Sequence, residues 1–229
     1  MQLTWLGHSA FRFDIDGLGL LIDPFLTGNP TFPAGFEERM GKVDAILITH
    51  AHGDHMGDAA RLAGKHGATV VAQYEICEYL GRAGLTRFES MNTGGAVRVG
   101  GCSIAMVPAF HSSTLVEDGV VTCVGDPVGF VVTGGGHTVY HTGDTGLFGD
   151  MALIQDVYHP DIGLIPIGDR YTMGPETAAY ACNKLLDLKT IVPMHWGTFP
   201  VLSGTPEAFK ALVKRGSVLV AKPGEPIEV

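Results

Sequence analysis

The fold is organised around one stretch, Ile46-Leu47-Ile48-Thr49-His50-Ala51-His52-Gly53-Asp54-His55. Its apolar run predicts a buried strand, and this strand stops at a cluster of histidines and an aspartate. Alternate side chains of an extended backbone point the same way, so His50 and His52 can bind one metal ion together. Asp54 and His55 are adjacent and must diverge, which predicts a second ion beside the first.

A simpler alternative is that Asp54 only caps the following helix, with the histidines in a solvated loop. We favour the metal site because Gly53 and the apolar approach place the cluster at the carboxyl end of a buried strand. Binding sites of α/β proteins gather at such ends.

Length and composition restrict the class of protein. The 229 residues are 45% hydrophobic, which is enough to bury a full core, and we expect a single domain spanning residues 1–229. The net charge is −9, and the 15 basic residues form no stripe. This balance argues against a nucleic-acid partner and favours a small-molecule substrate.

The sequence also argues against a membrane location. The most apolar stretches are far shorter than the roughly 20 residues of a membrane helix. The first residues already resemble a strand and have no basic leader. The 4 cysteines show no C-x-x-C pairing, as in free thiols of a reducing compartment. We therefore expect a soluble cytoplasmic protein.

Alternation of strand and helix patterns predicts an α/β fold. Three opening strands predict a β-meander with a tight turn at Asp16-Gly17. Each half of the chain has strands followed by helices, which predicts two facing sheets with helices outside, a four-layer αββα sandwich. Between the meander and the metal strand, residues 26–41 contain Phe32 and Phe36 and predict a long flap with exposed aromatic side chains, either a lid or a subunit contact.

Three further polar residues follow later predicted strands. His111 follows the strand at 102–108, Asp144 follows the strand at 138–141, and His195 ends the strand at 190–194. A lone histidine at a strand end is more often a surface residue, and Asp144 could instead cap a helix after Gly146. Their order and placement after the primary cluster favour a metal-binding role.

The pattern His-x-His-x-Asp-His at the end of an apolar strand, with these three later residues, resembles the metallo-β-lactamase superfamily. The resemblance implies that His50, His52 and His111 bind one ion, that Asp54, His55 and His195 bind another, and that Asp144 bridges them. It implies two divalent ions, with zinc favoured by the nitrogen-rich site and Mn²⁺ or Fe²⁺ as alternatives. Asp54 and Asp144 are then the candidate catalytic carboxylates.

The phrases Leu6-Gly7-His8-Ser9 and Leu21-Ile22-Asp23-Pro24 look like the branch that contains L-ascorbate-6-phosphate lactonase and many uncharacterised metal-dependent hydrolases. This resemblance implies that His8 borders the substrate pocket. It also implies that Asp23 holds a ligand imidazole by its second ring nitrogen. The alternatives are a turn histidine and a strand-end cap. Further candidates for the pocket lining are Glu176 and Arg170, which flank the loop at 169–174, and Thr198 and Phe199, which follow His195.

The leading hypothesis is a metal-dependent hydrolase in which a hydroxide activated by a dinuclear site cleaves an ester, lactone or phosphodiester of a small molecule. A nuclease-type phosphodiesterase is an alternative within the enzymes, against which the acidic balance argues. A metal-binding scaffold without turnover is an alternative from another class, against which the intact ligand set argues. The physiological substrate, the native metal and the presence of a homo-oligomer stay open.

Overall fold

The apolar opening strands form the predicted meander at one side of a seven-stranded sheet in the computed structural model, which describes residues 1–229. Its strands are β1 (Gln2–Trp5), β2 (Phe11–Ile15), β3 (Leu18–Ile22), β4 (Ala45–Leu47), β5 (Thr69–Gln73), β6 (Phe88–Met91) and β16 (Pro226–Glu228). Asp16 and Gly17 join β2 to β3 with φ of 50° and 83°, the geometry of a tight two-residue hairpin. Strand β3 then pairs parallel with β4, so that their carboxyl ends lie side by side.

A second seven-stranded sheet is built by the later part of the chain. Its strands are β7 (Ala96–Val99), β8 (Cys102–Pro108), β11 (Val128–Gly134), β12 (His137–His141), β13 (Ile162–Pro166), β14 (Thr190–Met194) and β15 (Ser217–Val218). Strands β12 to β15 are parallel to one another, and β8 runs in the same direction because both it and β12 are antiparallel to β11. The carboxyl ends of β8, β12 and β14 therefore share one edge.

Seven helices complete the fold: α1 (Phe36–Arg39), α2 (Gly53–Met56), α3 (Ala59–His66), α4 (Tyr74–Arg82), α5 (Met151–Tyr158), α6 (Pro175–Lys184) and α7 (Pro206–Leu212). Pro175 and Pro206 open α6 and α7, where a missing N–H costs no helical hydrogen bond. Thr205 caps α7 by accepting a hydrogen bond from the Ala208 N–H at 3.2 Å. None of these helices has the length and apolar character required to cross a lipid bilayer.

Three apolar clusters define the layers. The largest lies between the two sheets and contains buried side chains of both, such as Phe13 and Phe130. A second lies between the first sheet and α1, α3 and α4. The third, which includes Phe209, lies between the second sheet and α5, α6 and α7. The predicted four-layer αββα sandwich is thereby confirmed.

The segment 26–41 differs from its prediction. It contains the one-turn helix α1, and Phe36 is only 7% exposed, packed against the helix side of the first sheet with the Phe32 ring 6.3 Å away. The expectation of an aromatic-exposing flap is therefore wrong for Phe36. The reason is that the helical turn directs this apolar side chain inward while Glu37 pairs with Arg61 and Lys65 of α3.

Two further elements were not predicted. Residues Thr114–Glu117 (β9) and Val120–Cys123 (β10) form a separate two-stranded hairpin. The apolar pattern of residues 147–157 predicts a helix there. The observed helix begins later, at Met151, because Gly146 and Gly149 disfavour helical backbone before it.

Candidate metal centre

The motif residues lie where the metal strand ends and a one-turn helix begins. His50 follows β4, His52 is the N-cap of α2 with extended backbone, and Asp54 and His55 belong to α2. Asp54 lies inside the helix, so it does not act as the N-cap that the simpler alternative required. The helical turn directs Asp54 and His55 away from His50 and His52, which precede it.

One group of candidate ligands consists of His50, His52 and His111. One ring nitrogen from each lies within 4.8 Å of the others. The His50 Nε2 lies 3.0 Å from the His52 Nδ1, and the His111 ring is 5.0 Å from the His50 ring. His50 is fully buried, whereas His52 and His111 are partly exposed. Three converging imidazoles match the protein ligands of a three-histidine zinc site.

A second group consists of Asp54, His55 and His195 together with His8, again within 4.8 Å of one another. Asp144 lies between the two groups. Its Oδ2 is 3.2 Å from the His55 Nε2, 2.9 Å from the His195 Nε2 and 3.8 Å from the His111 Nε2. A carboxylate in this position can bridge two ions. The structure therefore brings together all seven residues to which the sequence assigned metal binding.

Gly143 sets the position of Asp144. It has φ of 62°, and a Cβ built on it would lie 2.4 Å from the Val128 carbonyl oxygen and 3.2 Å from the Thr49 Cβ. A residue with a side chain would therefore displace the turn. The neighbouring His141 holds the same turn, since its Nδ1 accepts a hydrogen bond from the Gly143 N–H at 3.1 Å and its Nε2 lies 2.9 Å from the Ser9 carbonyl oxygen.

Asp23 orients His55 and His50 through their Nδ1 atoms, on the side of each ring that faces away from Asp144. Its Oδ2 lies 2.8 Å from the His55 Nδ1, a contact of the kind that the family resemblance implied for Asp23. Thr49 donates its N–H to Oδ1 at 2.8 Å and its hydroxyl to Oδ2 at 2.7 Å. The Thr49 hydroxyl oxygen in turn lies 2.9 Å from the His50 Nδ1. One buried carboxylate thus orients His55 directly and His50 through Thr49, as outer partners of metal-binding histidines do.

The nitrogen and oxygen atoms that converge here are suited to bind cations. The Nε2 atoms of His8 and His55 and the Nδ1 of His195 are buried and have no hydrogen-bond partner. Buried polar atoms are rarely left unpaired. Here the unpaired Nε2 atoms face carboxylate oxygens of Asp54 and Asp144 at distances of 3.2 Å. Imidazole nitrogens and carboxylate oxygens that converge in this way are the ligand set of divalent metals.

The ionisation states also suit a metal. Burial lowers the pKa of His50 well below its usual value, and burial lowers the pKa of His8 to about 4. These rings are therefore neutral near pH 7, the form that binds metals. Burial opposes ionisation of Asp144, but His195 and His55 beside it outweigh that effect and hold its pKa well below the usual value. Burial disfavours charge on His55, but Asp144 and Asp23 outweigh it and raise its pKa. Without a metal this ring therefore keeps a proton, which a divalent cation would displace on binding.

Two further residues singled out in the sequence lie beside the second ligand group. His8, expected at the rim of the substrate pocket, is fully buried and forms part of the second ligand group. Thr198, expected in the pocket lining, is buried with its hydroxyl 3.0 Å from the His8 Nδ1. The aromatic rings of Phe199 and Phe25 lie 5.4 Å and 5.9 Å from the His8 ring and form a wall beside it.

Comparisons with known proteins agree with this fold. The sequence model of the Beta-lactamase superfamily domain matches residues 19–196. A UPF0173 metal-dependent hydrolase of Methylobacterium nodulans is 47% identical over 227 residues, which covers 97% of this chain and 96% of that protein. Another from Methanopyrus kandleri is 47% identical over 232 residues and covers 100% of both chains.

Among solved structures, this chain is similar to Igni18, a metallo hydrolase of the hyperthermophilic archaeon Ignicoccus hospitalis. The two share 39% sequence identity with a TM-score of 0.86, over 99% of this chain and 97% of the other. The chain therefore belongs to the metallo-β-lactamase superfamily, as the histidine motif indicated. Within that superfamily it is a metal-dependent hydrolase.

Proposed function

We propose that the chain is a dinuclear-metal hydrolase that cleaves an ester, lactone or phosphodiester bond of a small molecule. The observation that carries this proposal is the position of Asp144, whose Oδ2 lies within 3.8 Å of nitrogens from His55, His195 and His111. Two divalent ions, with zinc favoured, would supply a hydroxide nucleophile near neutral pH and polarise the bond under attack.

The chain's own residues have separable roles in this proposal. Asp144 is buried and ionised, so it can orient a water molecule from between the two ligand groups. The Asp54 side chain is 32% exposed, so this carboxylate offers a released proton a path to solvent. Asp23 and Thr49 hold the ligand imidazoles in one orientation and limit their movement during the reaction.

The surroundings favour a small and partly apolar substrate. Phe110 is 64% exposed beside His111, and Phe25 and Phe199 form the wall on the His8 side. Aromatic rings around a few polar groups are typical of small-molecule sites. The net charge of −9 and the absence of a basic stripe argue against a nucleic-acid backbone as substrate.

The test measures turnover and bound metal on the same preparation. Protein purified without chelator is assayed on p-nitrophenyl acetate, a γ-lactone, bis-p-nitrophenyl phosphate and an RNA oligonucleotide. We expect turnover of at least one small substrate, and a loss of about a thousand-fold or more in His52→Ala and Asp144→Asn with the fold unchanged by circular dichroism. Asp150→Asn, at an exposed carboxylate outside the site, is the matched control with normal rates.

The other results would contradict the proposal. Bound metal without turnover of any substrate would favour a scaffold, and cleavage restricted to RNA would favour a nuclease. Normal rates in either site variant would show that the ligand assignment is wrong.

A further inference from the structure

We infer that His8 is itself a metal ligand, so that the second position is held by His8, Asp54, His55 and His195 as well as the bridging Asp144. This inference rests on the proposed dinuclear site. It assigns to the loop between β1 and β2 a role that the histidine motif does not contain.

The geometry of His8 is that of a ligand rather than a support for Asp54. The His8 side chain is fully buried, and its Nε2 lies 3.2 Å from the Asp54 Oδ2 without satisfying the geometry of a hydrogen bond. A histidine that only oriented Asp54 would direct an N–H at the carboxylate. The His8 ring also lies 4.0 Å from the His195 ring, so that both rings face the same space.

The hydrogen bond on the far side of the ring supports the same conclusion. The His8 Nδ1 lies 3.0 Å from the Thr198 Oγ1, the His55 Nδ1 lies 2.8 Å from the Asp23 Oδ2, and the His50 Nδ1 lies 2.9 Å from the Thr49 Oγ1. Asp23 can only accept here, and Thr49, whose hydroxyl proton goes to Asp23, accepts as well. The Thr198 hydroxyl oxygen can accept in the same way, and a proton on Nδ1 then leaves the Nε2 lone pair directed inward. Metal-binding histidines are oriented in this way.

The backbone holds His8 in an unusual conformation. Its φ is 53°, in the left-handed region that residues with a Cβ rarely adopt. Its carbonyl oxygen accepts hydrogen bonds from the Trp5 Nε1 at 2.8 Å and from the His195 N–H at 3.0 Å. Trp5 in turn stacks on Trp196 with a ring separation of 5.4 Å. Strain of this kind persists where the surroundings fix it, and it concentrates at functional sites.

The two metal positions therefore differ in how far their histidine ligands are exposed to solvent. The second position has three imidazoles, all buried, from His8, His55 and His195. The first has three imidazoles of which two, from His52 and His111, are partly exposed. Structural zinc sites are closed by protein ligands, whereas catalytic sites keep an open position for water or substrate. We therefore expect the first position to lose its ion first.

The test replaces His8 by asparagine, which removes the imidazole and tolerates positive φ. His159→Asn is the matched control, since His159 also has a positive φ, of 50°, but caps α5 on the surface. Metal per chain is measured by elemental analysis after dialysis against a graded chelator series. Before chelator is added, we expect two ions in the wild type and in His159→Asn and one in His8→Asn. If His8→Asn keeps both, the ion of the second position should bind at least tenfold more weakly than in the wild type.

Cobalt(II) substitution distinguishes a ligand from a neighbour. A histidine bound to cobalt through Nε2 shows a strongly shifted and exchangeable Nδ1–H proton resonance, and His8→Asn should lose one such resonance. If His8→Asn does not fold, Thr198→Val leaves His8 in place but removes its acceptor, and the second ion should then bind 10–100-fold more weakly.

The outcomes separate the two proposals. Two ions with unchanged affinity and unchanged cobalt resonances in both site variants would overturn the role of His8 and leave the proposed function intact. Fewer than two ions in the wild type would overturn the dinuclear proposal, and the inference about His8 with it.

Discussion

Asp23→Asn tests how far the candidate site depends on a side chain behind its ligands. Asp23 is fully buried and has φ of 48°, a conformation that asparagine also adopts without strain. The substitution keeps the shape and removes the charge. Its effect should therefore come from the hydrogen bonds that Asp23 accepts from Thr49 and His55.

The size of the effect depends on which hydrogen-bond donor the asparagine side chain can no longer accept from. Both Asp23 oxygens face donors, namely the Thr49 N–H at 2.8 Å, the Thr49 hydroxyl at 2.7 Å and the His55 Nδ1 at 2.8 Å. An amide must place its NH₂ against one of them. Opposite the Thr49 N–H, it leaves a buried donor unpaired at a cost of about 1–3 kcal/mol. If the NH₂ group instead lies opposite His55, the Nδ1 of His55 must accept a hydrogen bond. The ring proton then moves to Nε2, the nitrogen that faces Asp144.

The second orientation puts a proton on the nitrogen that would bind the metal, and in both orientations His55 loses the charged acceptor behind it, so metal binding weakens. We expect a loss of about 10–100-fold in affinity at the second position, equivalent to about 1.4–2.8 kcal/mol. The assay is chelator competition monitored by elemental analysis, with Asp118→Asn as control because Asp118 has φ of 50° in the exposed turn between β9 and β10. An affinity within twofold of the wild type in Asp23→Asn would refute the reasoning.

Three shorter predictions test other parts of the molecule. Gly143→Ala should lower kcat/KM by about 100-fold, since an added Cβ would lie 2.4 Å from a backbone oxygen of β11 and displace the neighbouring carboxylate; an unchanged rate would contradict the close approach. Hydrogen bonds from Arg61 and Lys65 lower the pKa of Glu37 from 4.5 to about 2, so the pair's stabilisation is complete above pH 4.5 and disappears as pH falls towards 2. Because the Arg61 side chain is 46% exposed, this stabilisation should be only about 1 kcal/mol. As the pH falls from 4.5 towards 2, Glu37→Gln should therefore lose less unfolding free energy than the wild type, by about that amount. Phe209→Ala should cost about 3–5 kcal/mol in urea unfolding, because this side chain is fully buried between α7 and the second sheet.

The candidate ligands could be predicted because each one follows a strand whose apolar run is visible in the sequence. The period of an extended chain placed His50 and His52 on one side, and adjacency forced Asp54 and His55 apart. In the structure, the single helical turn α2 begins after His52 and points Asp54 and His55 in different directions. One turn of helix has no measurable period, so the sequence could indicate a helix-compatible segment but not its limits.

Other features depend on contacts that no local pattern contains. Phe36 looks like an exposed aromatic in a loop, and only the helix side of the first sheet, formed by distant residues, makes its burial favourable. The same applies to Thr198, whose hydroxyl contacts a ring 190 residues earlier in the chain. The hairpin of β9 and β10 was missed although Asp118-Gly119 is the same turn signal as Asp16-Gly17. Its runs Leu115-Val116 and Val120-Val121 are consecutive apolar pairs and do not alternate with polar residues.

The position of His8 followed from topology more than from any motif. Strand β2 is antiparallel to both β1 and β3, so β1 and β3 run in the same direction, and β3 is parallel to β4. The residues that follow β1, β3 and β4 therefore emerge at one edge, and they include His8, Asp23 and His50. A meander followed by a parallel crossover delivers three connections to one edge whatever their sequences are. The presence of a polar, strained residue in each of the first two connections, with φ of 53° and 48°, is then best explained by a common task at that edge.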